Sequence, residues 1–450
     1  MDIVRDTALK VVYNVLEKDA YANIALDKQL KRSSFAPLER RFLTELSYGT
    51  IRSKNTLQWI LDKFVSKKKI HPWIKCILYT GIYQIFFMEK VPESAACNES
   101  VELAKKYGNK GSVKFVNGVL RNVVRKKEDI KFPDIKTDPI KAISLKYYHP
   151  EWMVDRWFKK FGVEDTIKLC QYNNTPSFLI LRTNTLKTSR NKLREELLAE
   201  GIDTKESAYI PESLVVTSMA EGLSKSKAFN EGKFLIQDEA SQLVARIVAP
   251  EKKSFIIDGC AAPGGKTTHM AALVEDDATI KAFDIHPHKI KLIKENCQKL
   301  GITCVDAKVK DATTLGELYQ NKADFLLLDV PCTGMGVLKR PDARWKKKEK
   351  DITKISRLQR EIIENAATCV KKGGVLVYST CSINDEENIE VIQSFLSKNP
   401  SFKLESILPY LPESILKDDR DKQNAQKGYI QLLPQIHNCD GFFISRMRKI

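Results

Sequence analysis

Phe255-Ile256-Ile257-Asp258-Gly259-Cys260-Ala261-Ala262-Pro263-Gly264-Gly265-Lys266-Thr267 joins a short apolar run to a turn of small residues and then to the start of a helical pattern. An apolar run of strand length that ends in a carboxylate and passes through small residues into a helix is the opening unit of a βαβ fold. The same alternation continues downstream. The runs Thr279–Asp284, Cys304–Val309, Phe325–Asp329 and Val375–Ser379 are separated by amphipathic stretches, and they predict a doubly wound parallel sheet, an α/β Rossmann-like domain over residues 237–450. In such sheets ligands gather at the C-terminal ends of the strands, where Asp258, Asp284, Asp311, Asp329 and the residues after Ser379 fall.

The turn after Asp258 suits a ligand approached by backbone N–H groups at a helix start. Gly265-Lys266-Thr267 resembles the end of a phosphate-binding loop, but that loop needs glycine where Cys260 stands, and Pro263 lacks an N–H. A GxGxxG pattern is also absent. Asp284 lies about twenty residues on, at the end of the second strand, where a carboxylate meets ribose hydroxyls; its other reading is a cap for the helix that starts near Pro287. Asp311, after the third strand, stands where an adenine amino group could bind. A nucleoside cofactor without pyrophosphate fits this pattern, and S-adenosyl-L-methionine is the candidate.

Ten cysteines occur without a CxxC pair, so no metal site is expected. Cys76, Cys170 and Cys369 sit in apolar helical patterns and read as core. Cys332, in Asp329-Val330-Pro331-Cys332-Thr333-Gly334, and Cys381, in Tyr378-Ser379-Thr380-Cys381-Ser382, end adjacent strands and could converge on one cleft. A thiolate added to C6 of cytosine makes C5 enamine-like, and a base must then remove the C5 proton. Two cysteines with Asp329 holding N3 would supply these groups, and a helix start after Cys381 with nearby basic groups would lower a thiol pKa. Pro-Cys chemistry alone favours Cys332 as nucleophile. Lys339-Arg340-Pro341-Asp342-Ala343-Arg344-Trp345 could contact phosphate, stack on a flipped base, or form a solvated loop.

The first third of the chain has another character. Apolar residues recur at helical spacing through residues 3–16, 23–32, 37–48, 56–64, 72–88, 94–107 and 113–125, which predicts an all-α bundle over residues 1–127. The chain carries a net charge of +17, and residues 1–130 hold 24 Lys and Arg against 14 Asp and Glu. With the run Lys67-Lys68-Lys69, this favours a polyanionic partner such as RNA over a merely solvated lysine-rich surface. Pro133 and Pro139 mark a connector over residues 128–165, in which Trp152, Trp157 and Phe158 form a packing face. A small α+β module over residues 166–236 follows, with strands at Phe178–Arg182 and Ser213–Thr217 around a helix at Asn191–Glu200. The longest apolar stretch, Ile77–Met88, is too short for a membrane span, and no secretory leader is evident. A cytoplasmic protein is expected.

Asp258–Thr267, the segment Asp329-Val330-Pro331-Cys332-Thr333-Gly334-Met335-Gly336 and the segment Tyr378–Ser382, in this order, resemble the RNA 5-methylcytosine methyltransferase family. Phe234–Gln242 is similar to that family's entry into its catalytic class I methyltransferase domain, and residues 1–127 resemble a NusB-like RNA-binding domain. The resemblance implies transfer of a methyl group from S-adenosyl-L-methionine to C5 of one cytosine of 16S rRNA, free or in an early assembly intermediate, by a monomer without metal. By the same resemblance Cys381 is the nucleophile and Cys332 assists release. Cys260, Ala261, Ala262, Pro263, Gly264, Gly265, Lys266, Asp284, Asp311 and Asp329 would line the cofactor site. A tRNA cytosine-C5 methyltransferase and a non-catalytic RNA-binding assembly factor are the alternatives.

Overall fold

The computed structural model describes residues 2–32, 34–66, 69–219 and 222–450; Lys67 and Lys68 of the basic run lie outside the described residues. The chain forms two compact units, residues 1–175 with 338–347, and residues 176–337 with 348–450.

The first unit is helical: α1 (Ile3–Glu17), α2 (Ala22–Leu30), α3 (Pro37–Arg52), α4 (Lys54–Leu61), α5 (Pro72–Phe87), α6 (Glu93–Tyr107), α7 (Lys110–Arg125), α8 (Pro139–Tyr147) and α9 (Glu151–Asn174). Asp2 caps α1 by accepting from the Val4 amide at 2.8 Å, and Asn109 caps α7 by accepting from the Ser112 amide at 2.9 Å. Pro37 and Pro72 occupy first helical positions, where the missing N–H goes unneeded. One apolar core containing Leu9, Val12, Leu43, Leu57, Ile77 and Leu120 runs through α1–α7.

Residues 128–165, the expected connector, are mostly helical, and the compact unit continues to Thr175. Pro139 starts α8 instead of breaking it, with Asp138 accepting from the Lys141 amide at 3.2 Å. Polar bonds fasten α8 to α4: Thr56 Oγ1 donates to Leu145 O at 2.6 Å, and Asn55 Nδ2 donates to Ser144 O at 2.9 Å and to His149 O at 3.1 Å. Gly162, at φ +78°, breaks α9, and Trp157 is buried in the packing face.

The second unit holds two sheets. β1 (Ile180–Thr183), β2 (Ile202–Glu206), β3 (Ser213–Met219) and β4 (Phe234–Ile236) form an antiparallel sheet in the order β2-β3-β1-β4, and α10 (Arg190–Ala199) packs its Leu193 and Leu197 into the core of this module. The larger sheet holds β5 (Phe255–Asp258), β6 (Thr279–Asp284), β7 (Val305–Val309), β8 (Ala323–Asp329), β9 (Val370–Thr380), β10 (Phe402–Leu404), β11 (Tyr429–Leu432) and β12 (Phe442–Lys449) in the order β10-β12-β9-β8-β5-β6-β7, with β11 beside β12. β5 to β9 are parallel, as expected, while β10, β11 and β12 add an antiparallel edge, so the sheet is mixed. Strand order reverses at β5 and β8, the crevice where open α/β sheets hold ligands. No helix among the described residues is long and apolar enough to cross a membrane.

Candidate active site

β5 delivers Asp258 to the reversal point, and the chain then turns into the helix Gly265–Leu273. Two glycines shape that turn. A Cβ on Gly259 would lie 2.7 Å from a Leu328 methyl, and Gly264 adopts φ +99° with Ile293 Cα 3.3 Å from where its Cβ would stand. A cleft opens above, lined by Asp258, Cys260, Ala261, Ala262, Pro263, Gly265, Lys266 and Asp329, with Gln237 and Asn296 at its sides. Asn296 Nδ2 donates to Pro263 O at 2.8 Å. Gly264, Asp284 and Asp311 are not among the residues lining this cleft.

Asp284 and Asp311 nevertheless lie close by. Burial, and then the charges of Asp258, Asp329, Asp284 and Asp311, push the Cys260 thiol well up, so these four carboxylates share its neighbourhood. Asp284 also has a local role, since its carboxylate accepts from the His286 amide at 2.9 Å and pairs with Lys289 at 3.6 Å. Asp311 accepts from the Thr313 amide at 2.9 Å and from its hydroxyl at 2.8 Å. A loop of approachable backbone ringed by carboxylates suits a cationic, hydroxyl-bearing nucleoside better than a polyphosphate.

β8 and β9 are parallel neighbours with Asp329 opposite Ser379, and the loops that leave them bring Cys332 Sγ to 3.1 Å from Cys381 Sγ. Both cysteines are partly exposed. Lys266 Nζ donates to Asp329 Oδ2 at 2.6 Å, and Ser379 Oγ donates to Asp329 Oδ1 at 2.8 Å. This carboxylate therefore joins the cofactor cleft to the cysteine pair. The hydrogen bond with Cys381, burial, and the charges of Cys381, Glu387 and Asp329 all hold the Cys332 thiol well above its ordinary range.

The expected electropositive surroundings for the pair are absent from the segment after Cys381. No α-helix begins there until Ile389, and the short turn before it, Asp385–Glu387, is acidic. Apart from the exposed Arg340, the Lys339–Trp345 segment likewise faces protein. Residues 338–347 belong to the first unit, where the buried Arg344 donates to Tyr148 O and the Asn174 side-chain oxygen at 2.9 Å and to Asn173 O and Leu338 O at 3.1 Å. Trp345 Nε1 donates to Ile51 O at 2.7 Å. These side chains are occupied in packing and hydrogen bonding.

Two site features carry little or no local sequence signal. Asp258 is fully buried, accepts from Thr267 Oγ1 at 2.7 Å, and is pushed up to about 7, chiefly by burial; its place at a strand end was the available clue. Arg182, on β1, is buried and donates to the Gln237 side-chain oxygen, to Gly265 O and, at 2.9 Å, to Thr268 Oγ1. It fastens the small sheet to the first turn of the cofactor-loop helix across 83 residues of sequence.

Three family models match the chain: the 16S rRNA methyltransferase RsmB/F family over residues 245–448, the NusB family over 2–125, and the ferredoxin-like domain of RsmF/B-like methyltransferases over 149–221. A relative from Bacillus subtilis named probable ribosomal RNA small subunit methyltransferase B is 38% identical over 450 residues, covering 99% of this chain and 98% of its own length. Among solved structures, PH0851 matches with a TM-score of 0.83 at 27% identity, covering 100% of this chain and 99% of its own. NSun6 from Pyrococcus horikoshii, solved with SFG, matches with a TM-score of 0.60 at 28% identity, covering 67% of this chain and 98% of its own. With both its helical and its α/β parts accounted for by full-length similarity, the chain belongs to the ribosomal RNA small subunit methyltransferase B family.

Proposed function

We propose that the protein methylates C5 of a cytosine in 16S rRNA, with S-adenosyl-L-methionine as methyl donor and Cys381 as covalent nucleophile. The observation that carries this reading is the 3.1 Å approach of the Cys332 and Cys381 sulfurs at the ends of adjacent parallel strands, beside the cleft that holds Asp329 and Lys266. Family membership and the names of full-length relatives support the rRNA substrate. SFG, an analogue of S-adenosyl-L-methionine, in the related NSun6 structure supports the choice of donor. When bound, the donor supplies an electrophilic methyl group.

The chain's own residues divide the remaining work. Cys260–Lys266, Asp284 and Asp311 surround the donor's nucleoside and amino-acid ends, and Asp329 with Lys266 holds the polar edge of the pyrimidine. Cys381 loses its proton to solvent and its sulfur bonds to C6, which makes C5 nucleophilic. After C5 has accepted the methyl group, Cys332, its own proton given up to solvent, takes the C5 proton as a thiolate, the S–C6 bond breaks to return Cys381 as a thiolate, and the C5–C6 double bond is restored. The environment that holds the Cys332 thiol above its ordinary range also makes its thiolate the stronger base once formed. C5 and C6 must be approached from the ring faces, so the target base has to leave its stack.

Purified protein incubated with labelled S-adenosyl-L-methionine and unmethylated 16S rRNA should transfer label to one cytosine. Cys381→Ala should lose both turnover and the protein–RNA adduct on a denaturing gel, whereas Cys332→Ala should accumulate the adduct. Absence of transfer by the parent protein sinks the reading, and the reverse pattern in the two variants exchanges the cysteine roles.

A further inference from the structure

We propose that Glu387 is a positioning residue that holds the loops carrying Cys332 and Cys381 in reacting register, a role that rests on the two-cysteine reading above. Glu387 has no exposed surface. Its carboxylate accepts from the Thr333 amide at 2.6 Å through one oxygen, and through the other from Thr333 Oγ1 at 2.6 Å, Ser382 Oγ at 2.5 Å and Asn384 Nδ2 at 2.8 Å. Thr333 follows Cys332 and Ser382 follows Cys381. One side chain thus bonds the immediate neighbour of each reacting cysteine.

Adjoining residues extend this clamp. Asn388 accepts from Thr380 Oγ1 at 2.6 Å and donates to Ser382 O at 3.0 Å. Tyr378 donates its hydroxyl proton to Glu387 O at 2.6 Å, and the Gly336 amide donates to Cys381 O at 3.0 Å. The two loops come from different strands and share no sequence continuity, so their separation depends on such cross-links.

The two carboxylate oxygens have roughly four lone-pair sites, enough to accept from all four donors. Glutamine is the same size, but its amide nitrogen would face one set of donors with a donor of its own. The Thr333 amide contact, or with the side-chain amide turned over the Asn384 contact, would then open. Reacting groups displaced by about 1 Å commonly lose about a hundredfold in rate. Glu387 hydrogen-bonds to neither sulfur, and it acts on the reaction through loop geometry together with the effect of its charge on the Cys332 thiol.

The test compares Glu387→Gln with the parent enzyme in kcat, in KM for RNA, in cofactor dissociation constant and in adduct yield on a denaturing gel. We expect kcat to fall about 10 to 100-fold, with KM and cofactor affinity within about twofold and with adduct accumulating, because release is impaired more than capture. In a Cys332→Ala background the same substitution should bring no further loss of turnover. Parental turnover in Glu387→Gln, or an equal fractional loss in both backgrounds together with weakened cofactor binding, would overturn the proposal. Should Glu387→Gln fail to bind cofactor because it does not fold, Thr333→Val, which removes one hydroxyl donor and keeps the amide bond, decides the matter. It should lower kcat in the same direction by about threefold to tenfold, as loss of one hydrogen bond of about 1 kcal/mol allows, and unchanged kcat refutes the clamp. Absence of methyl transfer by the parent enzyme would instead sink the two-cysteine reading itself, so the two failures are distinct.

Discussion

Replacing Asp258 by asparagine should abolish a pH dependence of stability that one buried carboxyl imposes. Burial carries this group from an ordinary 3.8 to about 7, with the bond from Thr267 and the charge of Lys266 opposing the rise and Asp329 adding to it. The unfolded chain gives up this proton near pH 4 while the folded chain keeps it to about pH 7. Stability from the protonated group is therefore complete below pH 4 and is lost as pH rises through 7. At about 1.4 kcal/mol per pH unit the parent should lose roughly 4 kcal/mol relative to the asparagine variant across that window. Asparagine can still accept from Thr267, so the difference isolates ionisation. Urea unfolding without cofactor, followed by far-UV circular dichroism between pH 4.5 and 8, measures it. Trp59, Trp73, Trp152, Trp157 and Trp345 all fall within the first unit, so tryptophan fluorescence gives an internal control for the other transition. A stability difference between variant and parent that stays flat with pH would refute the argument.

Gly264→Ala must hold an alanine at φ +99° with its Cβ 3.3 Å from Ile293 Cα; we expect a loss of about 1–2 kcal/mol, read as a lower thermal midpoint for the second unit, together with weaker cofactor binding by calorimetry. Arg344→Met should leave the carbonyls of Tyr148, Asn173 and Leu338 and the Asn174 side-chain oxygen without the donor they have now. At about 1 kcal/mol each this amounts to roughly 3–4 kcal/mol, visible as an earlier tryptophan-monitored urea transition, and an unshifted transition would show the guanidinium to be dispensable.

β5 and β6 were legible from sequence to the residue because each is a compact apolar run between turn-forming neighbours. β12 was not, for it is buried along most of its length and contains Arg446, whose guanidinium is inside, donating to Ile247 O at 2.6 Å and Val248 O at 2.7 Å. Its charge pattern looks exposed while its environment is not. β2 reads Ile202-Asp203-Thr204-Lys205-Glu206, one buried residue followed by largely exposed ones, and hydrophobic periodicity passes over it. Helix α8 was hidden by Pro139, which stands at its first position instead of breaking it. In the site, the strand-end motifs led to the cysteine pair and the cofactor loop, since the fold collects strand ends at one edge. The acidic turn after Cys381, the protonated Cys332 and the Arg182 tether depend on tertiary placement, and no spacing along the chain encodes them.

The ten residues 338–347 reach the first unit only after the strands β1 to β8 have been made. During synthesis the helical bundle leaves the ribosome first, yet the chain that supplies Arg344 to its buried carbonyls follows some 160 residues later. Translation therefore cannot complete the two units in their sequence order. A release of residues 1–175 as a separate polypeptide would meet the same gap permanently, and supplying residues 338–347 as a peptide in trans is the direct way to observe that last step of assembly.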